Sequence, residues 1–159
     1  MTTREVESGA GRGVRMKHAF VVERRVQFAE TDMAGVLHFA NYYRMMEEVE
    51  HAFWRSVGSS VLSTHGGQEI SWPRVATSCE YLAPARFEDV LTLSFSVVNV
   101  GDRSVTFEVE FLRGTERLAL GRTTAVCCTM SAVGFESVPI PASLRALLEA
   151  SRSGARATP

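Results

Sequence analysis

Between Asn41 and Gly58 the apolar residues recur at three- and four-residue spacing: Tyr42, Met45, Met46, Val49, Ala52, Phe53 and Val57. That period lines them along one side of a single long helix. Arg44, Glu47, Glu48, Glu50, His51 and Arg55 fill the other side. Asn41 stands where an N-cap is expected, and Gly58 where the helix should end. No other stretch carries a helical pattern of this length, so the stripe cannot be buried in a helix bundle. A stripe rich in Met and Phe reads as core, and its partner has to be a sheet.

The rest of the chain supplies one. From Lys17 the text is strand-like, H-A-F-V-V-E-R-R-V-Q-F. Val22, Arg24, Val26 and Phe28 share one face, and Val21, Glu23, Arg25 and Gln27 the other. After the helix come four strand-like runs, Trp72 to Leu82, Asp89 to Val100, Arg103 to Arg113 and Arg117 to Met130. The breaks A-P-A-R-F-E-D, N-V-G-D and R-G-T-E are short, which implies antiparallel neighbours. In the third run Val105, Phe107, Val109 and Phe111 alternate with Ser104, Thr106, Glu108 and Glu110, one face dry and one wet. Ser59 to Ile70 reads as a connection with at most a short turn of helix. Pro139 and Pro141 precede a short amphipathic tail with Leu144, Leu147 and Leu148, expected to be helical. The sum is an α+β architecture, a curved antiparallel five-stranded sheet wrapped around a long central helix. One domain is expected over residues 17–150, with flexible segments at 1–16 and 151–159.

Composition narrows the function classes. The chain has 159 residues and a net charge of −1, so there is no basic surplus for a nucleic-acid backbone. Small anionic ligands need only a few arginines and stay open. No apolar run is long enough for a membrane span, and no secretory leader is expected from the polar first residues. The cysteines are three, Cys79, Cys127 and Cys128, an odd number with two adjacent. Free thiols and a reducing compartment, by default the cytoplasm, are expected. Cys127 and Cys128 would face opposite sides of one strand, against a paired thiol role.

The chemistry concentrates just before the helix, in F-A-E-T-D-M-A-G-V-L-H-F-A-N-Y. A carboxylate beside a helix N-terminus can attack or activate water while free amides hold an oxyanion. By spacing alone, Asp32 reads as a cap of the helix or the turn. Gly35 fits a positive φ or a close backbone approach. His38 serves either a pocket or a structural role, and Glu47 either a second carboxylate or a solvated face. Arg86 and Arg103 sit in or beside turns at strand ends, where they could meet phosphates, with Ser104 as a further donor. Asp32 and His38 lack third and fourth ligands, so no metal and no cofactor is expected.

The loop Glu30-Thr31-Asp32-Met33-Ala34-Gly35 running to Tyr42, the segment Tyr81-Leu82-Ala83-Pro84-Ala85-Arg86-Phe87-Glu88-Asp89, Glu47, the Ser104 strand and the Pro139-Ile140-Pro141 ending together resemble the hotdog-fold acyl-CoA thioesterases. The branch is that of the 4-hydroxybenzoyl-CoA thioesterase-like proteins, including those associated with the Tol-Pal system. The resemblance spans about Lys17 to Leu148. It implies hydrolysis of an acyl-CoA thioester by a homodimer or homotetramer with sites at the subunit interface. It implies Asp32 as nucleophile or general base and the backbone N–H of Phe39 as the group polarising the carbonyl, with Gly35 and His38 beside them. Tyr42, Glu47, Arg86, Arg103 and Ser104 become candidates for substrate contact. That branch often has histidine where this chain has Phe39, and arginine where it has Glu50. The alternative of another class is a non-catalytic module binding acyl-CoA or acyl-carrier protein.

Overall fold

The structure, a computed structural model, describes residues 19–152. Its strands are β1 (Phe20–Arg25), β2 (Leu62–His65), β3 (Gln68–Ser71), β4 (Arg74–Tyr81), β5 (Val90–Val100), β6 (Ser104–Arg113), β7 (Glu116–Val126), β8 (Cys128–Ser131) and β9 (Gly134–Ser137). Its helices are α1 (Phe39–Ser56) and α2 (Ala142–Ala150), with a single 3-10 turn at Phe28–Glu30. The expected flexible segments fall outside the described residues, apart from Ser151 and Arg152. Ser151 closes the last turn of α2, and Arg152 bridges Val97.

The main sheet has the order β1-β5-β6-β7-β4 and is antiparallel throughout. This is the expected five-stranded sheet, and α1 packs across it against β5, β1 and β7. Alternation in β6 works as read, since Val105, Phe107, Val109 and Phe111 are all buried. The stripe of α1 meets them. Phe53 lies 4.8 Å from Phe95 between ring centroids, and Tyr42 lies 5.0 Å from Phe111. Burying each such side chain contributes roughly 1.5–3 kcal/mol. Gly121 on β7 lets α1 come this close, because a Cβ there would stand 2.5 Å from the Met46 sulfur. Gly58, at φ +73°, ends α1 as expected.

Several expectations are corrected. Helix α1 begins at Phe39, and its N-cap is His38 rather than Asn41. The His38 Nδ1 accepts the Ala40 N–H at 3.2 Å, while the Asn41 amide is drawn away to a distant carbonyl. The Ser59–Ile70 connection contains the hairpin β2–β3. Its two-residue loop is Gly66-Gly67, both at positive φ, as a primed hairpin turn requires. The fourth strand-like run breaks at Cys127 into β7 and β8, and a further strand, β9, pairs with β8. These pieces form a second sheet, β2-β3-β8-β9. Both Cys127 and Cys128 are buried at that break instead of facing opposite sides of one strand. Phe28, expected to share a strand face with Val22, Arg24 and Val26, lies in the 3-10 turn and is exposed. Glu50, expected on the polar side of α1, is only 3% exposed, because Trp54 and Arg74 close over it.

Candidate active site

The chain leaves β1, makes the 3-10 turn, forms a tight hairpin and enters α1. An ion-pair fork holds the start of this path. Arg24, on the inner face of β1, pairs with Glu30 and with Glu48 of α1. Glu30 also accepts the Gln27 N–H at 2.8 Å. The Arg24 guanidinium keeps the Glu30 carboxyl below the usual carboxylate range. The Glu30 carbonyl takes the Asn41 side-chain N–H at 2.8 Å and the His38 N–H at 2.9 Å. The 3-10 turn and the helix start are thus tied at one residue.

Residues 31–37 close on themselves. Thr31 and Leu37 form an antiparallel bridge, and the Asp32 N–H donates to the Val36 carbonyl at 2.9 Å. The Gly35 N–H returns to the Asp32 carbonyl at 2.9 Å, with Gly35 at φ +75°. This is a β-turn closed by a residue in the left-handed region, which explains the glycine. The Asp32 carboxylate accepts the Ala34 N–H at 2.8 Å and the Val36 N–H at 3.4 Å, both on Oδ1. Among the described residues Oδ2 accepts nothing. One oxygen therefore fixes the turn and the other is open to a reactant. Leu37 N–H donates to Ala85 at 2.8 Å, so the P-A-R segment braces the same hairpin and brings Arg86 beside it.

At the head of α1, no acceptor for the Phe39 N–H is found among the described residues. A first-turn amide carries the positive end of the helix dipole and suits a developing negative charge. The Phe39 side chain is 61% exposed and stacks on His38 with centroids 4.5 Å apart. Tyr42 is buried beneath, edge-on to Tyr81 at 5.1 Å, and the Tyr81 hydroxyl donates to the Phe39 carbonyl at 3.2 Å.

The remaining candidates divide. Glu47 is exposed on α1, 3.5 Å from Arg74 and 3.9 Å from His51. Arg103 and Ser104 lie at the other end of β5, about 33 Å along the strand from the hairpin. There Arg103 donates to the Ser137 carbonyl at 2.7 Å. The chain does not bring them to Asp32. Burial pushes the Cys79 and Cys127 thiols up to about 11, so neither is a thiolate at neutral pH. No three His, Cys, Asp or Glu side chains among the described residues gather as a metal site would need. Sequence reasoning missed Arg24, Asn41 as a tie, and Tyr81. The Gln27–Glu30 capping-box spacing was a local signal of the 3-10 turn that was not used. The bonds of Arg24, Asn41 and Tyr81 span separations that carry no local signal. A hollow of about 510 Å³ between Phe20, Phe53, Phe95 and Val97 lies at the far end of α1 from Asp32. Phe28, Met33, Phe87, Tyr81 and Leu82 stand exposed on the hairpin and the flanking segments.

The pattern of the thioesterase superfamily matches residues 34–127, more than half of the chain. The chain belongs to the thioesterase superfamily. A 1,4-dihydroxy-2-naphthoyl-CoA hydrolase of Synechocystis is 26% identical to this thioesterase, over 70% of the chain and 82% of the relative. The acyl-CoA thioesterase YbgC of Haemophilus influenzae is 21% identical over the same shares. A solved gentisyl-coenzyme A thioesterase superposes with a TM-score of 0.66 at 27% identity, covering 81% of this chain and 98% of the other. The architecture is the hotdog fold, and the chemistry of the superfamily is thioester hydrolysis.

Proposed function

We propose that this thioesterase hydrolyses the coenzyme A thioester of an aromatic acid, with Asp32 as the catalytic carboxylate. The observation that carries the reading is the divided Asp32 carboxylate, Oδ1 on the turn amides and Oδ2 open, in the hairpin that feeds the uncapped Phe39 amide. Asp32 acts as general base on water or attacks the carbonyl carbon directly. Either way the carbonyl electrons move onto oxygen, where the Phe39 N–H stabilises them. Collapse of that adduct breaks the C–S bond and releases the coenzyme A thiolate. In the nucleophilic route water then cleaves the acyl-aspartyl anhydride. Gly35 shapes the turn, and His38 caps the helix and flanks the site. No step requires the histidine as acid or base.

The aromatic preference draws on the exposed Phe28, Phe39, Phe87 and Tyr81 around the hairpin. The likeness to hydrolases of dihydroxynaphthoyl-CoA and gentisyl-CoA points the same way. Arg86 follows Ala85, whose carbonyl accepts the Leu37 N–H, and would meet a coenzyme A phosphate from there. Glu47 would line the acyl end with Tyr42 behind it in the core, and Arg103 and Ser104 would serve only from a neighbouring subunit. Such an assembly, a homodimer or homotetramer, is supported by β4. It is an edge strand, exposed along almost its whole length, and a second copy could extend the sheet there. The unpaired cysteines suit the cytoplasm. Thiol release from benzoyl-, 1,4-dihydroxy-2-naphthoyl-, hexanoyl- and palmitoyl-CoA tests the proposal. Faster kcat/KM on the aryl thioesters supports it. Alkyl preference overturns the acyl assignment, and binding without release on all four identifies a non-catalytic module.

A further inference from the structure

Edge strand β4 ends on Tyr81, opposite Ala119 in register. Its hydroxyl donates at 3.2 Å to the carbonyl of Phe39. Its ring stands edge-on to Tyr42, which in turn packs on Phe111 of β6. The Phe39 side chain is mostly in solvent and anchors nothing in the core. Four ties set the start of α1 instead. The Leu37 N–H reaches Ala85, the His38 N–H and the Asn41 side chain reach Glu30, and Tyr81 reaches Phe39. The first three flank Phe39, and of the four only the Tyr81 bond lands on it. A carbonyl held from the sheet fixes the roll of that turn, and the roll sets where the Phe39 N–H points. Desolvation of the phenol, with Cys79 beside it, pushes its pKa up, so the hydroxyl stays protonated and remains a donor.

We propose that Tyr81 is a positioning residue for thioester hydrolysis, holding the Phe39 amide in line with the substrate carbonyl through its bond to the Phe39 oxygen. This rests on the reading of that amide as the carbonyl-polarising donor. The aromatic ring is needed for packing and the hydroxyl for aim, so Tyr81→Phe separates the two. A misplacement well under 1 Å is enough to cost about tenfold in rate.

Kinetics and a carbonyl probe together test it. Tyr81→Phe should lower kcat about tenfold and leave KM within about twofold, with an unchanged melting temperature. Benzoyl-CoA and hexanoyl-CoA, each labelled with 13C at the carbonyl, are then compared by infrared difference spectroscopy in the slow Asp32→Asn variant, using whichever is hydrolysed faster by the wild type. The bound carbonyl band should shift to lower frequency than in water, and the shift should shrink in the Asp32→Asn, Tyr81→Phe double variant. A full shift in the double variant, or a wild-type kcat for Tyr81→Phe, overturns the role of Tyr81 and leaves that of Phe39 standing. No shift in Asp32→Asn alone overturns the Phe39 assignment, and the Tyr81 role falls with it.

Discussion

Asn41 donates from its side-chain nitrogen to the backbone oxygen of Glu30 at 2.8 Å, joining the first turn of α1 to the end of the 3-10 turn that precedes the hairpin. The Glu30 oxygen keeps a second donor, the His38 N–H at 2.9 Å. Removing the Asn41 amide therefore does not strand a buried acceptor. Asn41→Ala should cost only about 1 kcal/mol in urea unfolding. Hydrolysis should suffer more, falling roughly tenfold in kcat as the helix start shifts against the hairpin. Equal and small losses in both would mean that this tie does not aim the site.

Gly35 holds φ +75° with open space around a would-be Cβ. Any cost of substitution is thus in the backbone and not in a clash. Gly35→Ala should destabilise by about 1 kcal/mol, the price of a left-handed L-residue. The turn amides that hold Asp32 Oδ1 would move with it, so kcat should drop by more than the stability loss accounts for. Thermal unfolding and initial rates on one preparation compare the two.

Much of this was readable along the chain, and the limits are physical. The α1 stripe and the β6 alternation are local periodicities, and they translate directly into Phe53 on Phe95 and into the buried face of β6. The T-D-M-A-G hairpin is also local, because the glycine conformation and the aspartate turn lie within five residues. The N-cap was misassigned because Asn41 is the better cap by residue type, and its partner Glu30 lies eleven residues back. Burial of Glu50 depends on Arg74, which lies 24 residues away on another element. Tyr81 was visible as part of a motif, but its target at Phe39 was not.

Gly121 faces Met46 where α1 crosses the sheet. A methyl group there must displace the thioether, which is flexible and can partly yield. Gly121→Ala should cost about 1–2 kcal/mol by overpacking. Met46→Ala in the same chain should recover part of it. A double-mutant cycle with no coupling would remove the close approach from the account.

Glu50 sits between Arg74 at 2.8 Å and the Trp54 indole N–H at 3.4 Å. Burial raises its carboxyl above the ordinary range, against the opposing pull of Arg74. A carboxyl with a higher pKa folded than unfolded contributes its stability below the unfolded value. That contribution is lost as the pH climbs from about 4.3 through the raised folded value. Glu50→Gln removes this titration. In urea unfolding the variant should match or exceed wild-type stability at pH 8, and its advantage should shrink toward pH 4. A variant weakest at pH 8 would show that the ionised pair with Arg74 is worth more than its burial costs.

The central claim is that the charge on Asp32 does the chemistry. Asn fits the same turn, since its carbonyl oxygen can accept the Ala34 and Val36 amides that Oδ1 accepts now. The decisive measurement is kcat for Asp32→Asn on the best acyl-CoA substrate, alongside the melting temperature of the purified variant. The fold should be unchanged and kcat reduced by roughly 10²–10⁴. A folded Asp32→Asn enzyme that hydrolyses the thioester at the wild-type rate would contradict the claim.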